Sequence, residues 1–560
     1  MNEYLRLKKS NCKNCYKCIR HCPVKSIRFS ENQAHIVGDE CILCGHCFVV
    51  CPQNAKEIRC DLDAARALLA TGRPVYASLA PSFVADFPGV TITAMRKALQ
   101  KLGFTDAEET AVGATMVKTR YEEILDSEHP DVLISSCCHS VNLLIRRHFP
   151  EALPYLAPVR SPMQAHCADI KRRFPGALTV FIGPCISKKA ECDEYPGAAD
   201  CVLTFEELNQ WLSSENISLE KLPDPPETGG RARLFPTSGG ILRSMQHRRP
   251  DYTYLVVDGP ENCIAALQDI IRGDLKNCFI EMSACTGSCV GGPAMGKNHR
   301  APMRDFVYVD RYAPAQDFPV DLSLQPGRLH AEHSFMGLHR QKPGQQAIEE
   351  VLHALGKMTP EQELNCGSCG YNTCREKAEA VVLGKADLTM CLPYLKEKAE
   401  TFSGNVLENT PNGICLLDED LQIQQINPAA CAIMNIALPS DAVGQPIVRY
   451  LNPEPFAQVV QTKRNSKAVQ LYLPEYKKHV ELTVVYDGKY HNLMAILRDI
   501  TREAEEHARK EAASRHTIEV TDKVIEKQMR VVQEIASLLG ETTAETKIAL
   551  TKLKESLNDE

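Results

Sequence analysis

Four short apolar runs organise the centre of the chain, and each ends in a turn that carries polar residues or cysteine. Their sequences are PVYASLAPS, DVLISSCCHS, LTVFIGPCISKKAE and CFIEMSACTGSC. Helical stretches such as AMRKALQKLGF and FEELNQWLSS alternate with them. Apolar runs of this length between helices predict buried parallel strands of an α/β domain. Because ligands of such sheets gather beyond the carboxyl ends of the strands, we expect the four loops to converge on one pocket.

The pattern changes after residue 403, where short strand-like runs such as 480–485 and 493–497 alternate with short helices. After Thr501 the chain is charged and helical. Apolar or small residues then recur four and three positions apart, at Ile525, Met529, Val532, Ala536, Leu539, Thr543, Thr546, Leu550 and Leu553. This heptad seam predicts a coiled coil or helical bundle, and a single amphipathic helix lying on the preceding domain is the alternative.

Composition indicates an ordinary multidomain protein. At 560 residues, and with a prior of about 150 residues per domain, we expect several domains. The net charge of −7 gives no reason to expect nucleic acid or an anionic membrane as partner. No apolar run is long enough to span a bilayer, and the N-terminus lacks the apolar core of a signal peptide. We therefore expect a cytoplasmic protein.

The 25 cysteines are the feature that ordinary composition does not explain. In a reducing compartment, tight C-x-x-C spacings indicate metal or cluster ligands rather than disulfides. Residues 1–60 contain C-x2-C-x2-C-x3-C-P twice, which is the bacterial two-cluster ferredoxin pattern, and the fourth cysteine of each run ligates the other cluster. The rule assigns one [4Fe–4S] cluster to Cys12, Cys15, Cys18 and Cys51, and the second to Cys41, Cys44, Cys47 and Cys22. Electron transfer is the predicted role, with zinc binding as the alternative.

One further cluster fits the turns of the central domain. Cys285 and Cys289 lie four residues apart on a Gly/Ser-rich loop, where small residues let backbone N–H groups approach the sulfurs. The cysteines that stand where an apolar run stops fit one cubane: Cys138, Cys185, Cys285 and Cys289. Buried apolar cysteine is the better interpretation for those outside this pattern: Cys167, Cys192, Cys201, Cys263 and Cys278.

The three cysteine loops resemble the three signature loops of the [FeFe]-hydrogenase family. SSCCH at 135–139 is similar to T-S-C-C-P, GPCISKKAE at 183–191 to M-P-C-x-x-K-x-x-E, and EMSACTGSCVGGP at 281–293 to E-x-M-A-C-x-G-G-C-x-x-G-G. FPTSGGILRSM at 235–245 and LAPS at 79–82 match as well. The resemblance covers roughly residues 1–310.

The resemblance implies an H-cluster. Its [4Fe–4S] cubane would be held by Cys138, Cys185, Cys285 and Cys289. Cys289 would also bridge to a diiron subcluster that carries CO, cyanide and a dithiolate amine.

The resemblance also implies roles for the surrounding residues. Lys188 would donate to one cyanide ligand, and Ala80, Pro81 and Ser82 would contact the other. Cys137 would exchange protons with the amine, and Glu191 would continue the relay outward. Two residues would wall the pocket: Phe235 and Pro162. An exposed charge pair in a loop is the alternative for Lys188 and Glu191.

The chain departs from the family at several positions of this site. Gly183 and Ser283 replace methionines, His139 replaces a proline and Met163 replaces a glutamine. Arg120 and Ile124 stand near the places of two relay glutamates. These changes predict slower proton delivery and altered access to the irons, and thus a site that is not built for high turnover.

A second cluster module is predicted between residues 360 and 395. Its spacing C-x2-C-x4-C-x16-C, formed by Cys366, Cys369, Cys374 and Cys391, resembles a small four-cysteine iron–sulfur domain. A long helix, REKAEAVVLGKA, would separate the third ligand from the fourth. A zinc ribbon is the alternative. We expect a [4Fe–4S] cluster that passes electrons towards the C-terminus.

The following segment resembles a PAS domain. Asn427-Pro428-Ala429 follows a predicted strand, and Asp499-Ile500-Thr501 leads into the last helix. No haem- or flavin-specific residue stands out, so we expect no cofactor there. Cys415 and Cys431 are expected to be packing residues.

The predicted fold class is multidomain α/β. The domains are a ferredoxin-like domain (1–60), a hydrogenase-like domain (61–350), a four-cysteine domain (351–398), a PAS domain (399–502) and a signalling helix (503–560). This architecture resembles the sensory branch of the [FeFe]-hydrogenases and predicts a low-turnover hydrogen oxidoreductase that senses H2 or redox state. The alternatives are an ordinary ferredoxin-linked hydrogenase and an iron–sulfur redox sensor or scaffold without the diiron site. The implied partners are H2 and protons, ferredoxin or another redox carrier, maturation proteins, a kinase or phosphatase, and a second copy of the chain.

Overall fold

A computed structural model describes residues 3–8, 11–223, 229–295, 302–320, 329–337 and 343–556. The chain divides into two compact units, residues 1–395 and 396–560. The first unit contains the three predicted iron–sulfur segments, and the second contains the predicted PAS segment and the last helix.

The N-terminal segment has two short antiparallel strand pairs and two one-turn helices. Strand β1 (Leu5–Leu7) pairs with β4 (Lys56–Ile58), and β2 (Ile27–Ser30) pairs with β3 (Gln33–Ile36). The helices α1 and α2 carry cysteines and span Lys17–Arg20 and His46–Val49. This twofold repetition reflects the doubled cysteine run.

Residues 62–312 form an α/β arrangement with two parallel sheets. The first sheet has the order β6-β5-β8-β9, and the second has the order β10-β11-β7. The strands are β5 (Val75–Leu79), β6 (Asp106–Glu109), β7 (Val132–Ile134), β8 (Leu178–Gly183), β9 (Cys201–Thr204), β10 (Thr253–Asp258) and β11 (Cys278–Ser283). The four apolar runs are thus β5, β7, β8 and β11, as predicted, and they are shared between the two sheets.

Helices surround the two sheets. They are α3 (Leu62–Ala70), α4 (Phe83–Asp86), α5 (Ile92–Lys101), α6 (Ala111–Ser127), α7 (His139–His148), α8 (Pro162–Arg173), α9 (Ser187–Glu194), α10 (Phe205–Ser214), α11 (Gly240–Ser244), α12 (Pro260–Arg272) and α13 (Pro302–Tyr312). Local sequence explains several starts. Thr204 and Glu207 form a reciprocal capping box at α10, and the Ser161 side chain accepts the Gln164 N–H at α8.

The expected packing cysteines lie in the cores. Cys167, Cys192 and Cys201 are buried in the apolar core around β5 and β8, and Cys263 and Cys278 are buried beside β11. Their burial agrees with the interpretation as apolar residues.

The four-cysteine segment is mainly helical. Helix α14 (Gln345–Ala354) precedes it, α15 (Cys374–Val382) begins at its third cysteine, and α16 (Leu392–Asn409) follows its fourth. The predicted helix REKAEAVVLGKA was too long, because α15 ends at Val382. Gly384 there adopts a φ of +67°, a left-handed conformation that terminates helices.

The second unit has the antiparallel sheet order β13-β12-β16-β15-β14. Its strands are β12 (Gly413–Asp418), β13 (Ile423–Ile426), β14 (Val469–Leu473), β15 (Lys478–Asp487) and β16 (Asn492–Asp499), and its helices are α17 (Pro428–Ile433) and α18 (Glu454–Thr462). Cys415 and Cys431 are buried in its core, in agreement with a packing role. The predicted strands 480–485 and 493–497 lie within β15 and β16.

The last helix, α19 (Thr501–Ser556), starts at the predicted Asp499-Ile500-Thr501 turn. The described apolar side chains of the seam are between 53% and 61% exposed: Ile525, Met529, Val532, Leu539 and Leu550. The alternative of a helix lying on its own PAS domain is therefore not observed for this face. The side chain of Leu553 lies outside the described residues. The coiled coil stays a prediction, since it needs a second helix.

Within the described part of the chain, no helix combines the length and apolar character needed to cross a membrane.

Asn427 is the polar centre of the PAS domain. Its Oδ1 accepts the N–H groups of Ala430 (2.9 Å) and Ile414 (2.7 Å). Its Nδ2 donates to the carbonyls of Leu407 and Asn412, both at 2.9 Å. One buried amide thus joins α16, β12 and α17.

We expect Asn427→Ala to destabilise the PAS domain by about 3 kcal/mol, because one buried and three partly buried backbone groups lose their partner. Asn427→Asp keeps the acceptors and loses the two donations, so its effect should be smaller. Hydrogen-exchange mass spectrometry of β12 peptides measures this locally. The single tryptophan, Trp211, lies in the other unit and cannot report it. Equal protection in Asn427→Ala and the parent protein would contradict the assignment.

Candidate metal-cluster sites

The structure groups the N-terminal cysteines around two cavities. One cavity, the outer site, is lined by Cys12, Cys15, Cys18 and Cys51. The other, the inner site, is lined by Cys22, Cys41, Cys44 and Cys47. In each cavity the fourth cysteine comes from the other run, which is the grouping that the sequence pattern predicts.

Backbone N–H groups point at the sulfurs of these sites. Ser26 donates to Cys22 Sγ at 3.3 Å, Leu43 to Cys41 Sγ at 3.4 Å, and Ala55 to Cys51 Sγ at 3.3 Å. Such hydrogen bonds stabilise negative charge on thiolates and help to set the potential of a cluster. The donor chemistry fits [4Fe–4S] binding.

The third cavity, the central site, lies where the loops after β5, β7, β8 and β11 converge. It has a volume of about 120 Å³. The four predicted cubane ligands line it together with Cys137: Cys138, Cys185, Cys285 and Cys289. The Cys289 side chain is accessible, and the surface that is accessible is the part that faces the cavity. Protein surrounds the rest of the side chain. The sequence prediction of converging loops agrees with this geometry.

The central thiols are costly to ionise on their own. Burial raises the pKa of Cys138 and of Cys285, and the neighbouring thiolates raise both further. A thiol that coordinates a metal is deprotonated outright, so a bound cluster would remove this cost. Among the residues that the structure describes, no three or more His, Cys, Asp or Glu side chains are arranged to hold a single metal ion.

Lys188 places a buried ammonium group beside the central site. Its Nζ donates to Glu191 Oε2 and, at 3.1 Å, to the carbonyl of Cys137. Burial opposes its charge, but Glu191 and the Cys185 thiolate outweigh burial and hold the pKa of Lys188 above its ordinary value. The pair lies on helix α9 and is buried, so the alternative of an exposed pair in a loop is wrong.

Glu191 is enclosed rather than directed outward. Only 1% of Glu191 is exposed, and its Oε1 accepts a 2.8 Å hydrogen bond from Gln164 Nε2. The predicted outward relay through Glu191 alone does not reach solvent in this geometry. Gln164, on α8, was missed by the sequence reasoning because nothing in its local pattern distinguishes it.

Ser82 offers an unused hydroxyl to the cavity. It is fully buried, lines the central site, and has no hydrogen-bond partner among the described residues. Ala80 and Pro81 line the same wall, and two apolar residues close the other side: Phe235 and Pro162. A buried hydroxyl group without a hydrogen bond is unfavourable, so a bound ligand is expected to satisfy it. A cyanide-bearing group in this cavity would supply one, so the residues fit the implied diiron subcluster.

Cys137 faces the same cavity from the loop after β7. Its Sγ lies 3.3 Å from Tyr121 Oη, which also contacts Ser136 Oγ at 3.0 Å. Burial raises the pKa of Cys137 to about 12, although the Tyr121 hydrogen bond opposes it. Tyr121, on α6, was not predicted, since only the fold brings it to Cys137.

Glu281 is a second residue that the sequence reasoning did not single out. It lines the central site and is 3% exposed, and the N–H of Leu242 donates to it at 3.1 Å. Burial raises the pKa of Glu281 to about 7, against the pull of the backbone N–H groups at the start of α11. A charged residue inside the apolar run CFIEMS was the available signal.

The departures from the family pattern have structural consequences. At Gly183 an added Cβ would lie 2.7 Å from the Phe181 ring, so Phe181 fills the space of a side chain. His139 lines the cavity, and its Nε2 lies 3.6 Å from Glu194. Burial and the Lys188 charge lower the pKa of His139 to about 3, so it is neutral.

The remaining departures divide between the cavity and its surroundings. Met163 and Ser283 line the cavity. Arg120 instead pairs with Glu123 at 3.0 Å, and Ile124 is buried in an apolar core. Neither of these two residues lines the central site.

The four cysteines after residue 365, here called the fourth site, lie near the surface. Cys366 is exposed, Cys369 and Cys374 are partly buried, and Cys391 is buried. The Ser368 hydroxyl, 3.0 Å away, lowers the pKa of Cys366. Burial raises the pKa of Cys369, and Cys391 is near enough to raise it further.

Four family models match the chain. They are the 4Fe-4S dicluster domain (4–60), the C-terminal domain of the iron only hydrogenase large subunit (73–293), an Fe-S cluster domain (362–393) and the PAS fold (404–500). Their order is that of the predicted domains.

Individual relatives point to two kinds of protein. The chain is 24% identical over 433 residues to iron hydrogenase 1 of Clostridium pasteurianum, covering 62% of this chain and 75% of that protein. It is 27% identical over 340 residues to cytosolic iron-sulfur assembly component 3 of Mus musculus, covering 46% and 71%. A solved [FeFe]-hydrogenase HydA1 variant from Chlamydomonas reinhardtii superposes with a TM-score of 0.39 at 19% identity, covering 50% of this chain and 100% of that one.

The matched domains and the cysteine cavities define a multidomain iron–sulfur protein. More particularly, the chain is a PAS-containing, [FeFe]-hydrogenase-like protein.

We expect Glu281 to titrate near neutral pH. A carboxyl group with a raised pKa is protonated below that value, so Glu281 should carry its proton below pH of about 7 and lose it above. The protonated Glu281 side chain therefore contributes fully to the stability of the folded protein below the ordinary carboxyl pKa. This contribution is lost as the pH rises through about 7. Infrared difference spectra between pH 5 and pH 8 should show one buried carboxylic-acid band disappearing.

Glu281→Gln should remove that band, and the exposed control Glu151→Gln should keep it. An unchanged band in Glu281→Gln would show that another group titrates.

Proposed function

We propose that this protein binds and slowly splits or forms H2 at an H-cluster in the central site, and that it reports hydrogen or redox state to its PAS domain. The observation that carries the proposal is one cavity with the four predicted cubane ligands, a fifth cysteine (Cys137), a charged lysine and a serine hydroxyl that has no partner among the described residues. A plain iron–sulfur cubane needs the thiolates alone. The lysine and the serine hydroxyl suit a cluster with anionic diatomic ligands.

The chain's own residues would hold and shield the cofactor. The group would supply hydrogen cleavage when it is bound. Cys138, Cys185 and Cys285 would ligate the cubane, and Cys289 would ligate both halves. Lys188 would donate to one cyanide and Ser82 to the other, with Ala80 and Pro81 contributing backbone.

Cys137 would hold the proton next to the reacting atoms. Its high pKa keeps it a neutral thiol, which can donate and accept in turn. Tyr121 orients the sulfur through its 3.3 Å contact. Glu191 would act on this proton only through Lys188, because Glu191 is sealed from solvent.

The second unit, which contains the PAS domain and helix α19, supports a sensory role. Helix α16 begins directly after Cys391, and Asn427 of the PAS domain holds its Leu407 carbonyl. The exposed seam of α19 would pair with a second copy of the chain, and that pair would present a surface to a kinase or phosphatase. Ferredoxin or another carrier would exchange electrons in the cytoplasm, after maturation proteins install the diiron subcluster.

A second candidate is an iron–sulfur redox sensor or scaffold without the diiron subcluster. The similarity to an iron–sulfur assembly component favours it. An ordinary ferredoxin-linked hydrogenase is the third, favoured by the similarity to iron hydrogenase 1. Infrared spectra and turnover separate these candidates.

After maturation, the protein should show infrared bands of metal-bound CO and cyanide. Ser82→Ala and Lys188→Met should each shift a cyanide band, because each removes a donor to that ligand. Ser78→Ala is the matched control: Ser78 lies on β5 and does not line the cavity, and the variant loses 2.8 Å contacts with His166 of α8 and with Thr110. Absence of all these bands would leave the scaffold as the surviving candidate.

Hydrogen evolution with a reduced dye should be slow in the matured protein. Cys137→Ala should lower it by about 10²-fold or more, the usual contribution of one positioned proton-transfer group. Tyr121→Phe keeps the ring and removes the hydroxyl, so its loss should be smaller. High turnover in the parent protein would favour the ordinary hydrogenase over the sensor.

A further inference from the structure

We propose that the inner site is an electron branch point, which connects the central site on one side directly to the fourth site on the other. The proposal rests on the proposed function only in that these cysteine sets hold [4Fe–4S] clusters. It adds the route by which the central site communicates with the segment before the PAS domain. The evidence is the packing of two loops against the inner site.

The first contact joins the inner and central sites. Gly45 follows Cys44 and has a φ of +73°. A Cβ built on it would lie 2.4 Å from Pro293 and 3.0 Å from Ile186. Pro293 ends the loop of Cys289, and Ile186 adjoins Cys185. The backbone of the inner site at Gly45 therefore packs against side chains of the central-site loops, at a point where only glycine fits.

The second contact joins the inner and fourth sites. Lys25 Nζ donates to the carbonyl of Gly370 at 3.1 Å, and Arg20 donates to the carbonyl of Ser368 at 3.3 Å. A Cβ on Gly370 would lie 3.1 Å from Ile19. Thus the loop that carries Cys369 lies directly on the segment that carries Cys22.

Tyr371 fills the space between these two loops. It is 2% exposed, and its hydroxyl has no hydrogen-bond partner among the described residues. The ammonium of Lys25 lies 5.9 Å from its ring centroid and that of Lys377 lies 6.0 Å away. A dry aromatic contact between two positive charges favours an added electron on either side.

Further contacts fix this arrangement. Lys385 pairs with Glu40 at 2.6 Å, next to Cys41, and its carbonyl accepts the N–H of Phe29 at 2.7 Å. Phe29 lines the outer site and packs edge-on against Tyr16, with ring centroids 5.1 Å apart. The outer site is thus the competing connection, through Tyr16. Lys25 favours the inner site, because it follows Cys22 by three residues and contacts both the Gly370 carbonyl and the Tyr371 ring.

The proposed step would move one electron and no atoms. The cysteines of the inner and fourth sites would hold the two clusters, of which the inner one would lose the electron that the fourth one gains. The central site would return an electron to the inner site across the Gly45 contact. The outer site remains free to exchange electrons with an external carrier.

The test uses the full chain with its iron–sulfur clusters reconstituted and no diiron subcluster, so it is independent of hydrogen chemistry. In fully reduced protein, the electron paramagnetic resonance signal of the fourth site should show magnetic coupling to a neighbouring cluster. This coupling should be lost when Cys44→Ala removes the inner cluster. It should survive Cys15→Ala at the outer site.

A charge variant covers the case in which Cys44→Ala does not fold. Lys25→Met should lower the reduced-to-oxidised ratio of both the inner and the fourth site about tenfold at fixed potential, which equals about 59 mV for a one-electron couple. Lys97→Met, on the exposed surface of α5 and away from the cluster sites, is the control and should shift neither.

Coupling that disappears with Cys15→Ala and persists with Cys44→Ala would overturn the proposal in favour of the outer route. A Lys25→Met shift confined to one site, or absent from both, would also overturn it. Absence of the infrared bands of CO and cyanide would instead contradict the proposed function, and it would not bear on the branch point.

Discussion

Gathering several thiols around one protein-enclosed cavity is the constraint on which the rest of the structure depends. The central thiols resist ionisation because burial and their mutual repulsion raise their pKa values. Lys188 supplies one compensating charge, and its own burial is offset by Glu191. Two parallel sheets, with four loops at their carboxyl ends, hold these groups in place. A metal cluster completes the charge balance that the protein alone leaves open.

The cysteine sets were predictable because ligand spacing is local. Runs such as C-x2-C-x2-C-x3-C place three sulfurs around one point whatever the rest of the chain does. The strands were predictable for a similar reason, since apolar runs with terminal turns are visible in the sequence. Their division into two sheets was not, because strand pairing is decided by long-range packing.

The polar neighbours of the central site were the harder part. Tyr121 contacts Cys137 from α6 and Gln164 contacts Glu191 from α8, and no local pattern marks either residue. Glu281 could have been predicted, because a carboxylate within a buried apolar run is rare and usually has a specific role. The helix after Cys374 was predicted too long, because it ends at Val382, just before Gly384 adopts a left-handed conformation.

Coupling of the central site's chemistry to the PAS domain and α19 is the central claim. The most direct measurement compares hydrogen exchange of residues 413–556 in the matured full chain under H2 and under argon. We expect that protection of β12 and α19 changes with H2, and that the Cys137→Ala variant changes less. Identical exchange under both gases, in protein whose infrared bands respond to H2, would contradict the coupling.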